Sequence, residues 1–347
     1  MLISDFFEKT DLNNSLLLGY YGGGNFGDEL LLEVISHKLK RKQCDNIHVR
    51  YSDIANYKKF HHDFGYKLID GSSILNVLKS CFSQKNIIVG GGGFWGLDAN
   101  SNVLLMSMML FLCRYILFKR IYIIGVGYYS STGRSGHIAA YLAGKSANVL
   151  IVRDKESVEN FRKYNVVASL DKDIAFQIDK KMTDEYEAES NELAEVIELE
   201  NESVYITLRK FRGEKARYNH IVSEVVKGAT DTNFLVGILQ PAEEFPEGNK
   251  IAVELSKLPN VKRVPEQINP LALMLFLSKN TKLLKIVSPQ FHIIVVALIS
   301  EMQFMPVAYD NKVSELLSDR GVTPIKLTDQ NIGDLNGIIV EFTDDEH

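Results

Sequence analysis

The chain has 347 residues, 46% hydrophobic and 24% charged, and its 39 basic against 44 acidic side chains give a formal net charge of -5. That length holds two domains of ordinary size, each able to bury its own core, and the negative balance without a basic stripe excludes nucleic acid as an expected partner. Three scattered cysteines, Cys44, Cys81 and Cys113, exclude a disulfide framework and show no zinc spacing, which suits a reducing cytoplasm.

Residues 1–8 lack the positive region and long apolar run of a secretory signal, so the chain is expected to stay in the cytoplasm. Residues 16–32 read as a buried strand, then a glycine loop that opens a helix. Asp28 suits the N-cap of that helix, and its carboxylate and that of Glu29 lie near the positive end of the helix dipole. Gly22, Gly24 and Gly27 satisfy Gly-x-Gly-x-x-Gly, which admits a dinucleotide site with Asp53 on the ribose, or a tight turn with no ligand. Two features oppose the dinucleotide: Asp53 lies beyond the usual spacing of about 20 residues, and Asp28 places negative charge where pyrophosphate needs neutral amides.

Residues 46–51 alternate like a second strand, and the polar stretch 58–63 follows it. His61, His62 and Asp63 are metal-ligand types, but neighbours at i and i+1 do not face one site, so a solvated loop is expected. Residues 86–96 and 120–129 repeat the plan of apolar strand then glycine loop, and 149–154 form a fourth strand before a helix over 155–164. Between them, residues 103–117 are apolar apart from Ser107 and Arg114. The stretch falls short of the roughly 20 residues a membrane span needs and reads as a buried helix, with a membrane-touching face as the alternative. Alternating strands and helices mean a parallel sheet whose carboxyl ends share one edge, so the glycine loops line one crevice or merely let strands turn tightly into helices.

Residues 181–202 are mainly acidic and read as a solvated helix or linker between domains. The alternation then restarts, with strands over 204–209, 233–238, 261–264, 283–288 and a last one over 304–309, and helices over 216–228, 251–258, 270–279 and 291–300. The expected architecture is two α/β domains, 1–180 and 203–347, facing each other across a cleft, with a frayed acidic tail over 341–347.

Together the motifs resemble the polysaccharide pyruvyl transferases. The resemblance lies in Gly19-Tyr20-Tyr21-Gly22 through Asn25-Phe26-Gly27-Asp28-Glu29, in Gly90-Gly91-Gly92-Gly93 and in Gly125-Val126-Gly127. It continues in Val152-Arg153-Asp154-Lys155-Glu156-Ser157, Asp173-Ile174-Ala175-Phe176, Thr207-Leu208-Arg209, Ser288-Pro289-Gln290-Phe291-His292 and Pro306-Val307-Ala308-Tyr309-Asp310-Asn311-Lys312. These landmarks keep the family's order over nearly the whole chain. The resemblance implies two Rossmann-like domains of the metal-independent glycosyltransferase kind, the GT-B fold. It also implies a transferase that moves pyruvate from phosphoenolpyruvate onto a sugar, commonly as a ketal, with no cofactor beyond that donor.

By the same resemblance, Arg209 binds the anionic donor and His292 is the general acid or proton shuttle. Both fit: an arginine at a strand's end grips phosphate or carboxylate bidentately, and a histidine opening a helix titrates near neutral pH. The structural alternatives are that Arg209 pairs with the acidic stretch before it, that His292 only starts a helix, and that Asp310 and Lys312 form a surface pair. Arg153 and Asp154 read as structural. Where the family has Arg-x-His this chain has Gln290-Phe291-His292, which removes a full charge from the donor pocket. Gln290 and Lys312 join the donor set, with Lys210, Arg212 and Arg263 as candidates to compensate.

The acceptor would sit on the first domain's glycine crevice, on Asn25, Asp28, Gly92 and Gly93. It would be a sugar of a cell-surface polysaccharide precursor, carried on a nucleotide or a lipid; a lipid carrier would bring the chain to the inner face of the membrane as a peripheral contact. Two other readings stay open: a glycosyltransferase of the same fold using a nucleotide sugar, and a non-catalytic relative that binds saccharide or a partner enzyme.

Overall fold

The computed structural model describes residues 1–93, 95, 101–128, 133–211, 213–308, 311–318, 320–326 and 335–344. Several residues of the sequence reading therefore lie outside the described residues: Phe94, Gly96 and Tyr129 of the glycine loops, Arg212, Tyr309, Asp310 and the tail from residue 345. The chain divides into two units, the first made of Met1–Gly23 and Asp28–Asp179, the second of Gly24–Gly27 and Lys180–His347.

The first unit runs α1 (Ile3–Lys9), β1 (Ser15–Leu18), α2 (Phe26–Arg41), β2 (His48–Tyr51), α3 (Tyr57–Phe60), β3 (Lys67–Asp70) and α4 (Ile74–Ser83). It continues with β4 (Asn86–Gly90), α5 (Ser101–Tyr115), β5 (Arg120–Val126), α6 (Arg134–Ser146), β6 (Val149–Val152), α7 (Lys155–Arg162) and β7 (Ser169–Leu170). Among the described residues these strands form a parallel sheet in the order β3-β2-β1-β4-β5-β6-β7. Every residue of β1 and β4 is buried, as expected for strands covered by helices on both faces. Val77 and Cys81 of α4, Leu110 and Cys113 of α5, Ala140 of α6 and Phe161 of α7 share one core with Leu16, Leu18, Ile87 and Val89, so these four helices cover one face of the sheet.

Three features differ from the sequence reading. Strand β3 and helix α4 have no counterpart in the sequence reading; β3 is an edge strand with Ile69 as its one buried residue. Gly125 is not in a loop; it is a bulge inside β5, with φ +62°, and a Cβ there would meet Ile174 at 2.4 Å. Helix α5 is not buried all round: Val103, Ser107, Leu110 and Cys113 face the core while Leu105, Met108, Leu112 and Tyr115 are exposed. Among the described residues no helix is long and apolar enough to cross a membrane.

The second unit begins with α8 (Lys180–Thr183) and α9 (Glu187–Ile197), then runs β8 (Ser203–Leu208), α10 (Arg217–Gly228), β9 (Asn233–Ile238), α11 (Pro246–Leu255) and β10 (Val261–Arg263). After these come α12 (Pro270–Lys279), β11 (Leu284–Ser288), α13 (Phe291–Ile299), β12 (Phe304–Ala308), α14 (Asn311–Ser318), β13 (Ile325–Lys326) and α15 (Leu335–Asp344). Its parallel sheet has the order β10-β9-β8-β11-β12-β13, so β12 is not the last strand. Helix α11 starts five residues earlier than the apolar pattern suggests, because Pro246 occupies its first turn, where a missing N–H costs nothing. The residues from Leu335 to Asp344 are helical, with Phe342 packed on the core, in place of a tail frayed from residue 341.

The acidic stretch 181–202 is largely helical, as one of its two readings expected, but one side of it is buried. Met182, Tyr186, Leu193 and Ile197 are buried, and Lys279 of α12 donates to Glu187 Oε1 at 2.6 Å and to Asn191 Oδ1 at 3.0 Å. The carboxylates mark one face of α9 while its sparse apolar residues pack on α12, which is apolar all round and capped by Asn269. Replacing Leu193 by Ala is therefore expected to cost about 2–5 kcal/mol, read as a fall in the urea midpoint, where a linker position would change it by less than about 0.5 kcal/mol.

Candidate functional site

In the first unit, strand order reverses between β1 and β4, the point in an open parallel sheet where the loops diverge and a ligand crevice forms. The loops leaving these strands carry Gly19 to Gly23 and Gly91 to Gly93. Gly22 has φ +85°, and a Cβ on it would meet Ser52 N at 2.4 Å; Gly91 has φ +70°, and a Cβ there would meet Leu31 of α2 at 2.4 Å. These glycines are required by close packing as well as by any ligand. Gly92, with φ +87°, is buried and its carbonyl accepts from Gly127 N at 2.9 Å, while Gly93 is exposed.

The Gly22 N–H is taken by the protein itself. It donates to Glu29 Oε1 at 2.9 Å, and the other carboxylate oxygen accepts from the Tyr51 hydroxyl at 3.1 Å. A loop amide that would serve a pyrophosphate is thus held by an internal carboxylate, which argues against the dinucleotide reading. Asp53, the proposed ribose ligand, is exposed and accepts from the Asn56 side chain.

Glu29 is part of a buried cluster that the sequence reading missed. Glu29 and Glu33 stand one turn apart on α2, and His61 lies fully buried between them, with Nε2 2.8 Å from Glu29 Oε2 and Nδ1 bonded to Glu33 Oε2. The ring is flanked by Tyr51 and Tyr57, at centroid distances of 5.7 and 4.9 Å. His61 is therefore not in a solvated loop, and both its ring nitrogens are engaged by carboxylates in place of a metal. The signal that could have found it is the Glu-x-x-x-Glu spacing on α2, which demands a buried cation once that face is known to be inside.

Asp28 is not the N-cap. Helix α2 begins at Phe26, and Asn25 precedes it with its Oδ1 accepting from Gly27 N at 3.0 Å. Asp28 sits in the helix's first turn, half-buried, near enough to Tyr20 that its charge adds to the burial raising that phenol's pKa. Arg50 of β2 joins the same edge, donating to the carbonyls of Gly19 at 3.0 Å and Gly71 at 3.3 Å.

In the second unit, strand order reverses between β8 and β11. Arg209 is the first residue after β8, half-buried, with its backbone fixed on both sides by Asn219: N donates to Oδ1 at 3.1 Å and O accepts from Nδ2 at 2.8 Å. His292 is in the first turn of α13, directly after β11, with Gln290 at the cap position. Gln290 is buried; its N–H donates to Ser288 Oγ at 3.0 Å and its side-chain amide to Leu208 O at 3.4 Å, tying the end of β8 to the start of α13. Below it Thr207 and Ser288 share a hydrogen bond of 2.7 Å across the two strands. Lys312 lies half-buried in the first turn of α14, after β12.

The segment Gly24–Gly27 also belongs to this unit. Phe26 N donates to Leu239 O at 3.1 Å, and Gly27 lies so close to His292 that a Cβ on it would be 2.0 Å from Nδ1. Asn25 is thus brought to the His292 side, while Asp28, Gly92 and Gly93 stay with the first unit. Of the compensating cations, Lys210 is exposed beside Arg209, with its N–H on Gln240 Oε1 at 3.0 Å. Arg263 is elsewhere, on edge strand β10, where it holds Asn249 at 2.6 Å and Glu266.

The family model for polysaccharide pyruvyl transferase matches residues 25–311. The chain belongs to the polysaccharide pyruvyl transferase family. Membership assigns it to transferases that place pyruvyl groups on polysaccharide, and the expected family resemblance holds. No curated protein matches it by sequence. Among solved structures it is similar to the UDP-GlcNAc 2-epimerase of Neisseria meningitidis bound to UDP-GlcNAc, with TM-score 0.62 and 13% identity over 94% of this chain and 91% of that one. The UDP-GlcNAc 2-epimerase of Methanocaldococcus jannaschii gives 0.60 and 15% over 96% and 93%, and Anabaena HepE in complex with UDP-glucose gives 0.60 and 14% over 95% and 90%. These likenesses carry the fold, the expected pair of Rossmann-like units of the GT-B type.

The His61 cluster sets a pH dependence. Burial opposes a charge on His61, but the Glu33 and Glu29 carboxylates outweigh it and raise its pKa to about 9. The native state then keeps a proton that the unfolded chain releases near pH 6.5, so the contribution is complete below about 6.5 and is lost as pH rises through about 9. Thermal unfolding from pH 6 to 9.5 is expected to show a falling midpoint, by roughly 3 kcal/mol in total, and His61→Gln flattens that slope while lowering stability at pH 6.

Proposed function

We propose that the chain transfers pyruvate from phosphoenolpyruvate to a sugar of a cell-surface polysaccharide precursor, closing a ketal over two hydroxyls. The observation that carries this reading is the placement of Arg209 and His292 just beyond the carboxyl ends of the adjacent strands β8 and β11, either side of the strand-order reversal in the second unit. Arg209 would hold the donor's phosphate or carboxylate, with Lys312 adding charge from α14. His292 would deliver a proton to the methylene carbon of the enol, making the neighbouring carbon electrophilic. A sugar hydroxyl attacks that carbon, a second hydroxyl closes the ketal, and phosphate leaves. Of the two hydroxyl protons, one replaces the proton His292 gave and one leaves with phosphate.

Gln290 in this reading shapes the pocket more than it charges it, since its side-chain amide already bonds Leu208 O. The acceptor would use Asp28, Gly92 and Gly93 of the first unit, with Asn25 on the loop that reaches His292. The reading needs no resident cofactor, because the developing charges fall on groups that arginine and histidine stabilise.

A second reading has a specific observation behind it. Gln290 is neutral where the family carries arginine, and the similar epimerases and HepE were solved with UDP sugars or UDP. A nucleotide-sugar donor would account for both.

One experiment separates them: thermal stabilisation by phosphoenolpyruvate and by UDP, alongside phosphate release with saccharide acceptors. Phosphoenolpyruvate is expected to stabilise the wild type, and Arg209→Ala to weaken its binding by about tenfold or more, the loss of one charge-assisted hydrogen bond. His292→Ala keeps the stabilisation and lowers turnover by about 10²–10⁴-fold. Stabilisation by UDP alone transfers the proposal to the nucleotide sugar. A separate check is Gly27→Ala, whose new Cβ would displace the His292 ring; it is expected to lower turnover by roughly a hundredfold while costing about 1–3 kcal/mol of stability, so that the chain still folds and the loss is read on the folded protein.

A further inference from the structure

Helices α4, α5 and α6 share one core on one face of the first sheet, so their outward sides form a single layer. They are stitched together there: the Lys119 ammonium donates to Phe82 O at 2.8 Å, linking the end of α5 to α4, and the Tyr115 hydroxyl to Lys145 O at 2.9 Å, linking α5 to α6. The outward side is apolar. Leu75 is 70% and Phe118 82% exposed, and Phe82, Leu112, Ile116 and Ile138 are exposed with them. Isolated exposed apolar residues are ordinary on a protein surface; a run of them across three neighbouring helices marks an interaction face.

The charge on these three helices has one sign, whereas α7, the fourth helix over this face, carries Glu156 and Glu159 beside Lys155 and Arg162. From residue 71 to residue 153 the sequence carries eight Lys or Arg and a single acid, Asp98, which lies outside the described residues, in a chain where acids outnumber bases 44 to 39. Lys79, Arg114, Lys119, Arg134 and Lys145 belong to α4, α5, α6 and the turn after α5. A face merely kept in water carries both signs, as α7 does with Lys155, Glu156, Glu159 and Arg162.

We propose that the outward face of α4, α5 and α6 docks on an anionic lipid bilayer surface. Apolar side chains with cations around them and no described acid match what an interface of acyl chains and negative headgroups binds. A second copy fits less well, because a two-fold contact through this face sets the same cations against each other. The proposal does not depend on the donor chemistry, so its failure would leave the transferase reading standing.

The test is flotation of the full chain with phosphatidylcholine vesicles, with and without phosphatidylglycerol, and sedimentation velocity of the same samples. The chain is expected to float with the anionic vesicles only, and to be released by salt as surface charge is screened. The exposed pair Leu112→Glu and Ile116→Glu, and separately Lys79→Glu with Lys145→Glu, should each lower the bound fraction about tenfold while leaving the unfolding midpoint unchanged. No flotation with anionic vesicles overturns the proposal, as does flotation that both pairs leave intact. A dimer that the Leu112 and Ile116 changes split, in a chain that binds no vesicle, overturns it in favour of a second copy.

Discussion

Two parallel strands can be neighbours only after a crossover has carried the chain back to its starting edge, so every loop that leaves a strand's carboxyl end is gathered along one side of the sheet. Both units of this protein depend on that constraint. In each, the strand order also reverses once, between β1 and β4 and between β8 and β11, and the glycine loops of the first unit and Arg209 and His292 of the second follow the strands at those reversals. Arg209 and the Gln290 to His292 segment are far apart in the chain, and the pairing of Ile206 with Val287 is what makes them neighbours.

Charge inside the first unit imposes a second condition. Two carboxylates one turn apart cannot both be buried without compensation, which would cost several kcal/mol for each uncompensated ion. His61, the Tyr51 hydroxyl and the Gly22 N–H supply it together. The network therefore links a polar segment after β2 to the glycine loop after β1, so the loop's shape rests on a proton held by a histidine that touches no site residue. The same network explains why the Gly-x-Gly-x-x-Gly spacing is no guide to a dinucleotide here: the motif's amide answers to Glu29.

In the second unit the neutral Gln290 has a structural task of its own. The glutamine reaches Leu208 O and holds two strand ends in register, a hydrogen bond an amide makes without bringing a further charge into a buried place. The glycine at position 27 has an equally local reason, since any side chain there would collide with His292.

Periodicity and spacing were enough to establish the α/β class, the two parallel sheets and most of the strands, because alternating apolar runs of strand and helix length have few other packings; the family came from the resemblance of motifs that recur in order along the chain. The glycine loops could be singled out from the pattern, and Arg209 and His292 only through that resemblance. What tertiary structure alone decided lies in contacts between distant residues: that His61 is buried between Glu29 and Glu33, that the acidic stretch packs on α12, and that α5 turns half its apolar surface outward. Local sequence reports the polarity of a segment but not which face of it meets a neighbour, and a buried ion pair looks in sequence the same as three solvated side chains.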